Sequence, residues 1–486
     1  AAMRRWWMVV GVLGCNRTVT EHIAGNDGTL VLRLVNPTSC SSCDPWTGVD
    51  HVQVDVIRDG EVVASSEFSY PDEELLLPDL DGFGVVRVEV SGLRDGEVVS
   101  GGRTAEVTLS PGLSRELPLV FLPVNVGLPL TDSMVAPRSG HQSFTLRDGR
   151  ALLAGGWSPR RDNAYAGIEL YDPSTGSFAS SSWTLAGAAG NMARMEFPDG
   201  EVLVLGGTDV VGGTLSPVTT VSGMNEELDA SYPVASLAVA RSNPCASRFA
   251  SRSAIVFGGH QGEATGEMLV YDEGGRWKWS SFPLRDLDDT RVSGCAALVD
   301  GRTFVQGVDA ANTGIWPYTS ESAPYLEPAE CFEPVTPSDA GEAAVYADGA
   351  TVVALDDGAA WVGGGIDTST LSLASSAREF NPNAMRYQAA RAQPRRPRVD
   401  GTLVDWMLGD WKVWGCGYLN GARTLPESTV ELFDIVSGES GPVVGLDRER
   451  PGCHVTTLPD GSVLVSGGFD ADDEAAVNAA IVVPWF

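Results

Sequence analysis

DGSVLVSGGF, residues 460–469, holds a turn, a short apolar run and a glycine pair. Close variants stand at six other places. Aligned on the first glycine of the pair they fall at Gly155, Gly206, Gly258, Gly307, Gly364, Gly415 and Gly467, with gaps of 51, 52, 49, 57, 51 and 52 residues. The second glycine is intact in five copies and is Val308 in the fourth and Cys416 in the sixth. Six residues ahead of each first glycine lies a turn glycine (Gly149, Gly200, Gly301, Gly358, Gly409 and Gly461), with Arg252 as the exception. An aromatic followed by Asp or Asn comes downstream in four copies, at Tyr171-Asp172, Tyr271-Asp272, Phe380-Asn381 and Phe433-Asp434.

Helical periodicity is nearly absent and short strand-like runs recur throughout, so the chain is all-β. A period near fifty residues with several strands per unit is the signature of propeller blades. Side chains at the glycine pair would crowd backbones that approach closely near an axis. The fullest copy, PRSGHQSFTLRDGRALLAGGW at 137–157, resembles the kelch repeat, and the resemblance covers about 128–486. It implies a seven-bladed kelch-like β-propeller over 123–486. After the last glycine pair only AAVNAAIVVPWF remains, enough for one strand, so the fourth strand of the last blade is expected from LPLVFLPVNVGLPL at 117–130. Joining both ends in one blade removes an open sheet edge.

Ahead of the repeats, residues 28–122 carry two Asp-Gly turns between alternating apolar runs, at Asp59-Gly60 and Asp95-Gly96. That pattern predicts hairpins and a β-sandwich; it resembles the immunoglobulin-like domains of secreted bacterial proteins. Residues 16–27 read as a tether. MRRWWMVVGVLGC, ending at Cys15, has a basic start and an apolar stretch too short to span a bilayer. Its end resembles the lipobox of bacterial lipoproteins, which implies a signal peptide over 1–15, lipidation of Cys15, a membrane partner through the lipid anchor, and an outer-membrane or cell-surface location. The chain has 486 residues, 33 basic and 64 acidic, for a net charge of −31. Such a surface excludes nucleic acid as a partner.

An exported chain meets an oxidising compartment. Cys40 and Cys43 leave redox, metal and structural roles open; a local disulfide suits their Ser/Pro-rich loop. Offsets from the glycine pair put Cys245 level with Cys295, and Cys416 level with Cys453, on neighbouring blades, which predicts two stapling disulfides; Cys331 is left over. His141 and His454 flank the seam between the first and last blades, and with Cys453 they form a candidate metal site, although an odd offset difference predicts that the two rings point apart. Some kelch propellers are copper-radical oxidases using a Cys–Tyr cross-link, two His and a second Tyr; His141, His454 and His260 are the only histidines placed for such a site, and no Tyr-Gly or His-His signature accompanies them. The acidic runs at 286–289 and 470–474 suit glycoside chemistry or calcium. No resident cofactor is expected, with copper and calcium left open. Trp157 follows a glycine pair where loops leave for a propeller face; exposed, it would stack on sugar or dock protein, and buried, it would pack between blades, as expected of Trp183, Trp277, Trp361 and Trp414.

No nucleophile elbow, P-loop or dinucleotide fingerprint occurs. The sequence therefore leans away from an enzyme, toward an envelope-anchored binding lipoprotein whose propeller-face loops take a protein or glycan. The alternatives are an extracellular carbohydrate-active enzyme, oxidase-like or hydrolase, and a purely structural envelope component.

Overall fold

The computed structural model describes residues 17–22, 29–38, 40, 42–71, 84–110, 114–225, 229–250, 253–259, 265–271, 277–283, 292–316, 332–335, 346–407, 409–469 and 479–486. Cys15 and the leader, Cys331, His260 and the acidic runs at 286–289 and 470–474 lie outside these residues. Among the described residues the chain is almost wholly β, with one short 3-10 turn at Ala310–Asn312.

Seven four-stranded antiparallel sheets follow one another along the described chain, numbered here by the repeat each contains. Their first strands are Gln142–Thr145, Ala193–Glu196, Cys245–Ala250, Val292–Ala297, Thr351–Ala354, Thr402–Asp405 and His454–Thr457. A tight hairpin leads from each to the second strand. In sheet one Leu146 N–H donates to Arg150 O at 2.8 Å around Gly149, whose φ is +91°, a conformation that costs glycine nothing. Second strands such as Ala151–Ala154, Val202–Leu205 and Val463–Ser466 are buried at every position. They read as continuous apolar runs because both faces are covered by neighbouring sheets. Cores sit between sheets accordingly: Leu152, Ala154 and Ile168 of sheet one meet Val202, Val204 and Met224 of sheet two.

The glycine pair has a direct physical cause. Its second residue donates its N–H to a carbonyl of the next sheet's entry loop: Gly156 to Ala189, Gly207 to Arg241, Gly365 to Arg398 and Gly468 to Arg138, at 2.8–2.9 Å. A Cβ on Gly364 or Gly467 would run into the Arg398 or Arg138 carbonyl. The sixth copy corrects the sequence alignment. Thr402 pairs with Gly415 as Gln142 pairs with Ala154, so Gly415 is the last strand residue. Cys416 (φ +60°) and Gly417 (φ +84°) take the places of Gly155 and Gly156. The hairpin closes there between Trp406 and Trp411, one residue longer than the Leu146–Arg150 closure.

Sheet seven holds strands from distant parts of the chain in the order His454–Thr457, Val463–Ser466, Ala480–Val482 and Gly127–Pro129. Gly127 to Pro129 lie within the stretch assigned that role from sequence. Residues ahead of them form two more sheets. One contains Arg17–His22, Thr29–Val35 and Ser114–Val120; the other is six-stranded and includes His51–Arg58 and Gly84–Arg94. Leu32, Leu119, Val54 and Val88 share one apolar cluster between them. Both Asp-Gly turns have positive φ at each central residue (+53° and +80°, +52° and +83°). Arg17–His22, read from sequence as part of a tether, is a strand. At the other end Arg103 donates to Pro484 O at 2.8 Å and lies 4.0 Å from the Trp485 ring. The Phe486 ring packs on Trp411 at 4.4 Å.

Candidate functional site

A cavity of about 490 Å³ opens where the first strands begin, and all seven sheets contribute to its wall. Its rim is built from one recurring backbone position. Gly140, Asn191, Asn243, Gly349, Asp400 and Gly452 lie ahead of their first strands with φ of +61°, +50°, +49°, +70°, +54° and +71°. Neighbouring rim residues are hydrogen-bonded through the backbone: Gly140 N–H to Gly452 O at 2.8 Å, Asn191 to Gly140 at 2.7 Å, Asn243 to Asn191 at 3.2 Å and Asp400 to Gly349 at 2.9 Å. This rim was missed from sequence, although its members recur at the same gaps as the glycine pairs. What repeats is a left-handed backbone that Gly, Asn and Asp all tolerate, not one residue type.

His141 and His454 meet in the cavity wall with ring centroids 5.9 Å apart, so the expectation that they point apart is corrected. His454 opens the first strand of sheet seven, whereas His141 stands one residue before that of sheet one, outside the regular alternation. His141 is 1% exposed; its Nε2 lies 2.8 Å from Ser466 Oγ, and its Nδ1 is buried without a hydrogen-bond partner among the described residues. Burial, then the neighbouring His454 and Arg138, hold its pKa well below the usual imidazole value. In His454 burial and Arg194 push the pKa down to about 3. Its Nδ1 lies 3.1 Å from the Val455 carbonyl and 2.6 Å from Ser143 Oγ. A carbonyl only accepts, so the proton is assigned to Nδ1 and Nε2 keeps its lone pair. Both rings are neutral bases at physiological pH.

The cysteines form Cys40–Cys43, Cys245–Cys295 and Cys416–Cys453, with Cα separations of 5.1, 5.9 and 5.6 Å. Cys453 therefore has no thiolate to offer beside His141 and His454. Among the described residues no three His, Cys, Asp or Glu side chains gather as a metal group. The seam triad of His141, Cys453 and His454 is corrected on that ground.

The rest of the wall comes from two matching loops. Trp157 follows Gly155-Gly156 and bridges Ser139 and Ala164; Tyr418 follows Cys416-Gly417 and bridges Val399 and Pro426. Trp157 is 3% exposed, and its Nε1 donates to Thr208 O at 2.8 Å. It wedges against Gly140 and Gly190, where a Cβ would strike its ring. It packs between sheets and is not an exposed ligand platform. Each loop carries an arginine with positive φ, Arg161 (+53°) and Arg423 (+54°). The Arg161 guanidinium lies 5.2 Å from the Trp157 centroid and 5.8 Å from that of Phe469, and stands beside the Tyr418 hydroxyl. Arg423 pairs with Asp400 (Nε–Oδ2 2.5 Å) and Asp348 (3.4 Å). Burial raises the Tyr418 pKa against the opposing pull of Arg161, so the phenol stays a proton donor.

Four buried arginines were also missed. Arg138, Arg241, Arg398 and Arg450 stand at the equivalent place in four entry loops and are each at most 1% exposed. Arg138 donates to Gly155 O at 2.7 Å and Gly167 O at 3.0 Å and pairs with Glu169 at 2.5 Å. Arg241 repeats this with Gly258 O at 2.9 Å and Glu267 at 3.2 Å. They hold the entry loops in place beneath the rim; their recurrence ahead of the first strand was the signal.

No protein-family model and no curated protein matches this sequence. Among solved structures the chain is similar to a fungal alcohol oxidase of the AA5 family in complex with copper, at 15% identity and a TM-score of 0.53, over 72% of this chain and 75% of that one. The likeness supports an all-β, propeller-like fold. The leaning away from an enzyme and toward a protein-binding lipoprotein is corrected to this extent: a copper-containing oxidase shares this architecture, so the fold does not argue against catalysis.

Proposed function

We propose that this chain is a carbohydrate-active enzyme, built as a seven-bladed kelch-like propeller and exported, with the axial cavity as its active site. One observation carries the reading: a single cavity walled by all seven sheets gathers two neutral imidazoles, a protonated phenol and a cation. Three disulfides agree with an exported chain, and a cavity of this size suits a small hydroxylated substrate.

The likeness to a copper-containing oxidase raises copper as a cofactor. The donor set does not fit the cross-linked radical centre. The six described cysteines are all in disulfides, and Tyr418 is the cavity's one tyrosine among the described residues. A two-carboxylate glycosidase does not fit either, since among the described residues Asp400 is the one carboxylate lining the cavity and it is paired with Arg423. Proton transfer remains. His454 offers an unprotonated Nε2 as base, and Tyr418 a phenolic proton as acid.

Purified protein incubated with a panel of oligosaccharides, with products followed by mass and oxygen uptake followed in parallel, tests this. Sugar turnover without oxygen uptake is expected, lowered roughly a hundredfold in Tyr418→Phe with unfolding temperature unchanged. Absence of turnover by the folded protein overturns the enzyme reading. Copper-dependent oxygen uptake overturns the acid–base chemistry.

A further inference from the structure

The rim poses a question of cost. Left-handed backbone is unfavourable by about 1–2 kcal/mol for an ordinary L residue and least so for Asn and Asp, while glycine adopts it freely. Sheets one, five and seven use Gly140, Gly349 and Gly452 at the rim, and sheets two, three and six use Asn191, Asn243 and Asp400. Asp400 has an intramolecular partner in Arg423. The side-chain amides of Asn191 and Asn243 are exposed at the cavity and make no hydrogen bond among the described residues. The rim hydrogen bonds hold their backbones in the left-handed region, which leaves the two side-chain amides facing the cavity to take a partner from outside.

Arg161 shows the same pairing of strain and availability. It has positive φ, rests on Trp157 and Phe469, and has no carboxylate within ion-pair distance among the described residues. Its neighbour Arg423 is already taken by Asp400 and Asp348.

We propose that Asn191, Asn243 and Arg161 are the recognition set for an acidic sugar, with the ligand's carboxylate on the Arg161 guanidinium and its hydroxyls on the two amides. A guanidinium presents paired donors that match a carboxylate, and an amide both donates to and accepts from a hydroxyl. The inference rests on the axial cavity being a carbohydrate site.

Calorimetric titration with galacturonate and with galactose, on the wild type, Arg161→Met and the double variant Asn191→Gly/Asn243→Gly, provides the test. Galacturonate is expected to bind about tenfold more tightly than galactose, and Arg161→Met to abolish the preference. The double glycine variant is expected to weaken both sugars by about tenfold with no fall in unfolding temperature, since glycine relieves the left-handed strain. Equal affinities, or a preference that survives Arg161→Met, overturn the charge assignment. Unaltered binding in the glycine variant overturns the amide assignment. If neither sugar binds the inference fails; turnover in the oligosaccharide panel then leaves the enzyme reading standing, and absence of turnover removes both.

Discussion

Gly468 donates its backbone N–H to the carbonyl oxygen of Arg138 at 2.8 Å, so the last glycine pair is held against the first entry loop of the repeat region. Ser143 Oγ also lies 2.6 Å from His454 Nδ1, and Thr145 Oγ1 donates to Thr457 O at 2.6 Å.

Gly468→Ala is expected to be costly. The φ of Gly468 is +95°, and a Cβ would stand 3.0 Å from the Arg450 carbonyl carbon. A loss of about 1–3 kcal/mol is expected from chemical denaturation. Gly212→Ala, also at positive φ but with nothing within 4 Å, should cost less. Equal losses would mean that backbone conformation alone, not the close approach, decides.

Glu169→Gln leaves Arg138 without its charge partner in a site where the two side chains are 1% and 2% exposed. Uncompensated buried charge costs roughly 3–5 kcal/mol. Arg138→Met together with Glu169→Leu should recover only part of that, because the Gly155 carbonyl loses its donor. Denaturant midpoints for the single and double variants check both statements.

The bonds Cys245–Cys295 and Cys416–Cys453 close loops with sequence separations of 50 and 37. Each is expected to contribute about 3–4 kcal/mol by restricting the unfolded chain. A reductant should lower the unfolding temperature of the wild type. It should have a smaller effect on Cys416→Ser/Cys453→Ser, which starts lower.

Acid should destabilise the protein through its neutral histidines. The His454 pKa is depressed from 6.5 to about 3, so the folded state binds fewer protons than the unfolded state between those values. Stability from this group is present above pH 6.5 and is lost as pH falls toward 3. His141 acts in the same direction. Unfolding temperature measured from pH 7.5 to 4.5 should fall, and less steeply in His454→Gln.

Much of the repeat region was legible because its determinants are residue types. Gly155, Gly206 and Gly467 mark close backbone approach, Gly149 and Gly461 mark turns, and only glycine serves well at either place. Gly415 misled because the Trp406–Trp411 hairpin is one residue longer, and a strand glycine then stood where a pair glycine was expected. The site was less legible. The rim repeats a backbone angle shared by Gly140, Asn191 and Asp400, and identity matching does not see an angle. His141 and His454 come together because His141 lies just outside its strand, which strict alternation cannot express. Trp157 carried no mark to separate a buried wedge from an exposed platform; its burial follows from the missing side chains at Gly140 and Gly190.

Sheet seven takes Gly127–Pro129 from one end of the repeat region and Ala480–Val482 from the other. During translation the early strand must wait, unpaired along that side, until residues 480–482 emerge from the ribosome. A nascent chain stalled before them would carry an unsatisfied β edge on each flank, which is where a holding chaperone would bind.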